Sequence, residues 1–129
     1  MEGQALQPDG LAVPKAPYSP VVVSGEFVVT AGQVAFDADG NVVSPEFEAQ
    51  ARQVFDNLGR CLAAAGCGFE HVIKVNAFVT DFANFPTFNA VYREYFQPPY
   101  PVRTTVQAGL AGGFLVEVEA VARKPAESP

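Results

Sequence analysis

One apolar stripe constrains this chain more than any other feature. Between Ser44 and Gly66, the residues Phe47, Ala51, Val54, Phe55, Leu58, Leu62 and Ala65 recur at the spacing of one α-helical face. Ser44-Pro45-Glu46 reads as the start: a serine cap, a proline at the first helical position and an acid near the positive end of the dipole. Gly66 is the matching stop. The other face carries Glu48, Arg52, Asp56 and Arg60, whose i,i+4 spacing pairs opposite charges on a solvated surface.

The sequence around this helix reads mostly as strand. VVVSGEFVVTAGQVAF forms two apolar strands about the Ser24-Gly25 turn dipeptide, and FDADGNVV adds a turn at Asp39-Gly40 and a short strand. Residues 71–80, opened by His71, form the next strand. Asn84 caps a second helix over 85–96, on which Phe85, Phe88, Tyr92, Tyr95 and Phe96 share a broad side suited to core or subunit contact. Pro98, Pro99 and Pro101 end that helix and hold the chain extended up to Arg103. Strands over 103–107 and 115–122 complete the order ββ(β)αβαββ. Residues 1–15 read as a loose leader, and 16–125 as one domain in which two helices cover one face of a mixed sheet. The surplus of apolar strand residues predicts self-association, since a monomer would leave a large patch exposed.

Charge narrows the function classes. The net charge is −6 with a pI near 4.6, and the eight basic residues are scattered, so no phosphate-binding stripe is visible and nucleic acid is not an expected partner. The N-terminal residues lack the pattern of a secretion signal, and no apolar run is long enough for a membrane helix, so we expect a soluble cytoplasmic protein. Cys61 and Cys67 match neither a CxxC nor a zinc pattern and read as reduced core residues. His71 is the single histidine, which weakens a zinc site or a histidine triad. There is no GxGxxG motif, and the 109–113 glycine loop lacks the Lys-Ser/Thr that grips phosphate.

A short list remains for chemistry: Arg103, the pair Glu117/Glu119 and polar groups beside glycines. Arg103, at a stiff junction of loop and strand, presents a planar fork of donors suited to a carboxylate. In LVEVEAVA, alternation puts Glu117 and Glu119 on one face and Val116, Val118 and Ala120 on the other. A carboxylate in such an apolar strand, once covered, needs a partner or a shifted pKa, and can orient or activate a water.

APYSPVVVSGEFVVTAGQVAFDADGNVV, FNAVYREYF, PVRTTVQA and VEVEAVA, in this order over residues 16–123, together resemble the RidA/YjgF family of enamine/imine deaminases. The resemblance implies an α+β, chorismate-mutase-like (YjgF-like) fold. It also implies a homotrimer with its sites between subunits, and hydrolysis of reactive 2-imino acids to 2-keto acids and ammonia without metal or organic cofactor. By the same resemblance Arg103 binds the substrate carboxylate and Glu117 positions the attacking water. Tyr18, Gly32 and Asn89 line the cleft, and Thr105 takes a place where many relatives carry cysteine.

The chain departs from the pattern in four places. Ala31 replaces the serine of SGQ, Pro20 replaces the glutamine of PYSQ, the 107–116 loop is shorter and has Leu110-Ala111 for Leu-Pro, and Phe114 enters the pocket region. These leave the preferred substrate open. The expected substrates are 2-aminoacrylate/2-iminopropanoate and 2-iminobutanoate. The alternatives are a pathway deaminase acting on an aminomuconate-like compound, or a non-catalytic metabolite binder. Relatives have also been linked to RNA cleavage and translation inhibition, which the acidic balance here disfavours.

Overall fold

The turn at Ser24-Gly25 forms as the sequence predicts. β2 (Val21–Ser24) and β3 (Phe27–Thr30) pair antiparallel across it, and Gly25 adopts a φ of 58° that favours glycine. The computed structural model describes residues 1–126. β4 (Val72–Val79), β5 (Val102–Gln107) and β6 (Val116–Arg123) join β2 and β3 in one six-stranded sheet of order β1-β2-β3-β6-β4-β5. The sixth strand, β1 (Gln4–Leu6), lies in the segment expected to be a loose leader. It is tied down instead, because the outer edge of β2 offers free backbone groups that it pairs antiparallel.

Connection handedness decides where the helices lie. β6 runs antiparallel to both β3 and β4, so β3 and β4 point the same way with β6 inserted between them. β4 and β5 are parallel neighbours. The crossovers through α1 (Phe47–Ala64) and α2 (Phe85–Tyr95) thus advance in one direction along the sheet, and right-handed connections then place both helices on the same face. That face is the core. Val28, Val75, Ala77, Val79, Val116, Val118, Ala120 and Ala122 are buried beneath the helices. The ring of Phe55 on α1 meets Phe88, Tyr92 and Tyr95 of α2 and joins the two helices.

Several local expectations shift. Helix α1 begins at Phe47, two residues late, because the Ser44 hydroxyl accepts the Glu46 N–H at 3.0 Å and caps the turn before the helix. Gly66 does provide the stop, at a φ of 76°. The strand expected after Asp39-Gly40 shrinks to one bridge between Phe36 and Val42, where the Asp37 carboxylate accepts the N–H groups of Asp39 and Asn41. His71 closes a 3-10 turn instead of opening β4, and its Nδ1 accepts the Gly68 N–H at 2.9 Å. Asn84 stands at the N-cap of α2 but donates or accepts no side-chain bond there. The Asp81 carboxylate satisfies the preceding turn, accepting the Ala83 N–H at 2.8 Å.

Two buried amides on α1 were hidden in its apolar stripe. Gln50 donates to the carbonyls of Ser44 and Gly113 and accepts the Leu115 N–H, which anchors the loop leading into β6. Asn57 donates to the carbonyls of Val34 and Phe36. No helix among the described residues is long and apolar enough to cross a membrane.

Each of the three part-buried bonds made by the Gln50 amide is worth roughly 1 kcal/mol. Gln50→Ala should therefore lower the unfolding free energy by about 3 kcal/mol, read as a shift of the urea midpoint at unchanged slope. Glu48→Ala on the solvated face should leave the midpoint where it is.

Candidate functional site

Arg103 lies on β5, the outer parallel strand. Strand alternation sends Val102, Thr104 and Val106 to the uncovered face and turns Arg103 and Thr105 toward the helices, in register with buried Val75 and Ala77 of β4. α2 runs above it and repeats the same face each turn, so Phe85, Phe88, Asn89 and Tyr92 converge on the guanidinium. Arg103 Nη2 donates to Asn89 Oδ1 at 2.9 Å. The guanidinium carbon sits 4.7 Å from the Tyr92 ring centre and 5.6 Å from those of Phe85 and Phe88. Such contacts are worth roughly 0.5–2 kcal/mol and fix the plane of the fork. One donor is spent on Asn89; the others have no carboxylate partner among the described residues.

A cavity of about 240 Å³ opens at this guanidinium, lined by Asn89, Tyr92, Arg93, Tyr100, Pro101 and Arg103. The hydroxyls of Tyr92 and Thr105 are buried without a hydrogen-bond partner. Burial pushes the Tyr92 phenol up to about 12, against the opposing pull of the Arg103 charge. It stays a neutral donor across the physiological range.

Glu117 lies elsewhere. It projects from β6 onto the uncovered face, in register with Phe78 on β4, which in turn pairs with Val106 on β5. Gly32 packs against it so closely that a Cβ there would come 2.7 Å from the carboxyl. Glycine here lets the Glu117 carboxyl lie against the backbone, and a larger residue would push that carboxyl aside. Desolvation, and then the neighbouring Glu119 charge, raise the Glu117 carboxyl above the usual carboxylate range.

Within one chain the expected set therefore falls into three pieces. Arg103, Asn89 and Thr105 occupy the helix side of β5, and Gly32 and Glu117 meet on the other side of the sheet. Tyr18 lines a hollow of about 440 Å³ with Val34, Phe36, Ala38 and Phe114, so Phe114 does enter a pocket, but that of Tyr18. Tyr92, Tyr100 and Arg93 also line the Arg103 cavity, though none of them was an expected site residue. Arg93 follows Asn89 by four residues, a spacing that put it on the same helix face. Cys61 and Cys67 are free thiols, and burial pushes Cys61 up to about 12, which makes it a poor nucleophile. No cluster of three or more metal-binding side chains occurs among the described residues.

Known proteins share this fold over most of the chain. The chain matches the family described as Endoribonuclease L-PSP over residues 10–124. It is 37% identical over 129 residues to a RutC family protein of Synechocystis, covering 97% of this chain and 99% of that one. It is 37% identical over 108 residues to the 2-iminobutanoate/2-iminopropanoate deaminase of Homo sapiens, covering 82% of this chain and 79% of the other. The crystal structure of RidA from an Antarctic Psychrobacter superposes with a TM-score of 0.88 at 34% identity, covering 93% of this chain and 98% of that one. Sequence and fold together place this chain in the RidA/YjgF family.

Proposed function

We propose that the protein hydrolyses 2-imino acids and their enamine tautomers to 2-keto acids and ammonia. The observation that carries this reading is the Arg103 guanidinium, clamped by Asn89 and three aromatic rings yet left with free donors at the mouth of a cavity. Such a fork grips a carboxylate at two points and holds the adjoining C=N in one orientation. Water adds to the imine carbon to give a carbinolamine, which expels ammonia and leaves the carbonyl. Water is the only co-reactant.

Glu117 supplies the base from a second copy of the chain. Its own Arg103 lies across the sheet, whereas its own face is uncovered and studded with Phe27, Val29, Val102 and Val106. Burying that apolar face between copies completes the cleft, in a homotrimer with one site at each interface. Its raised pKa equips Glu117 to take a proton from the attacking water. The net charge of −6 weighs against RNA as a substrate, because counterion release needs clustered cations.

Arg103→Ala removes two charge-assisted bonds, about 3 kcal/mol in all, and should cost roughly a hundredfold in kcat/KM for 2-iminobutanoate. The assay generates that imine with a threonine dehydratase in the presence of semicarbazide as a competing trap. Failure of the wild-type protein to divert imine to 2-ketobutanoate would overturn the proposal. Glu117→Gln should cost about a hundredfold or more. Co-assembling the two inactive variants tests the shared site: randomly mixed cyclic trimers should regain about a quarter of wild-type activity. A site built within one chain regains none.

Glu117 also predicts a pH dependence of stability. Its folded pKa is raised, so the stability it lends is complete below the unfolded value of about 4.3 and is lost as pH rises through the folded value. Glu117→Gln should melt above the wild type near neutral pH, and the difference should vanish below pH ~4.

A further inference from the structure

The Arg103 cavity holds a second cation. Arg93, one turn beyond Asn89 on the same face of α2, lines it together with Tyr92 and Tyr100. Arg93 makes no ion pair among the described residues. Its sequence neighbour Glu94 does not neutralise it, since that carboxylate accepts from Arg52 of α1 at 2.6 Å. The protein carries 14 acidic residues against 8 basic ones, yet within one chain no carboxylate lines this cavity, and a single Glu117 from a second copy would leave two cations facing one anion. Arg93 is exposed and Arg103 half-buried, and two cations bordering one small space favour an anion between them. The Tyr92 hydroxyl, on a residue only 5% exposed and without a partner, is a further donor left over at the same place.

We propose that the site selects dianionic substrates: 2-imino acids whose side chain carries a second carboxylate. This rests on the deaminase reading for the reaction but on charge and geometry for the selectivity. Arg103 takes the carboxylate next to the imine. Arg93 takes the distal one, reaching the cavity from the turn of α2 that follows Asn89, to which Arg103 is bonded. Tyr92 donates to whichever carboxylate oxygen enters its end of the cavity. Arg93 is a specificity residue that does not touch the reacting carbon, so its removal should spare monoanionic substrates.

The test compares acids of equal chain length. Calorimetry should find 2-oxoglutarate bound about tenfold tighter than 2-oxopentanoate, and 2-oxoadipate tighter than 2-oxohexanoate. Arg93→Gln should erase the difference and leave the monoacids within about twofold, while Arg93→Lys keeps part of it. Equal affinity for matched diacids and monoacids in the wild type overturns the proposal, as does an equal loss for both in Arg93→Gln. Turnover is read separately, on imines made in situ by an amino-acid oxidase from glutamate and from norvaline. A diacid preference in binding without turnover of either imine sinks the deaminase reading and spares the selectivity. Turnover of both imines at equal kcat/KM, with no diacid preference in binding, does the reverse.

Discussion

The handedness of two crossovers governs this structure. β3, β4 and β5 point the same way, with β6 slotted between the first two, and each connection carries one helix. Right-handed connections advancing in one direction must lay both helices on one side. The sheet thus has a covered face that forms the core and an open face that keeps exposed valines and Phe27. Everything that bears on function follows from which face a side chain takes.

Arg103 and Glu117 illustrate the consequence. Each sits on a strand whose alternation is rigid, so neither can change sides without moving a whole row of neighbours. Arg103 is drawn beneath α2, where aromatic rings and one amide hold its charge without neutralising it. Glu117 is left on the open face, half-buried by Phe78, Gly32 and its own strand. A guanidinium with spare donors and a carboxylate with a raised pKa are each incomplete groups. In the assembly proposed above, one chain's Glu117 would meet another chain's Arg103.

The elements with the strongest period were legible in the sequence. The α1 stripe and the alternation through Glu117 and Glu119 reappear residue by residue in the burial pattern, while on the aromatic side of α2 Phe88, Tyr92 and Phe96 are buried and Phe85 and Tyr95 half-buried. Features that depend on partners far along the chain were not. β1 has too few apolar residues to announce itself and exists only because β2 offers an edge. Gln50 and Asn57 look like ordinary polar interruptions of a helix until the loops they bond, more than twenty residues away, are folded against them. The nearness of Arg93 to Arg103 depends on Tyr100 and Arg103 arriving at the same cavity from the far side of a proline-rich turn.

Local periodicity and turn chemistry thus determined by themselves the two helices and the strands β2 to β6, the place of Arg103 at the head of a strand, and the pairing of Glu117 with Glu119 on one face. Only the tertiary structure decided that this face is the one opposite the helices, that Arg103 shares a cavity with Arg93 and Tyr92, and that Arg103 and Glu117 stay apart within a chain. The physical reason is that periodicity states which residues share a face. Which face is then buried, and by what, depends on strand order and crossover hand, properties of the whole chain.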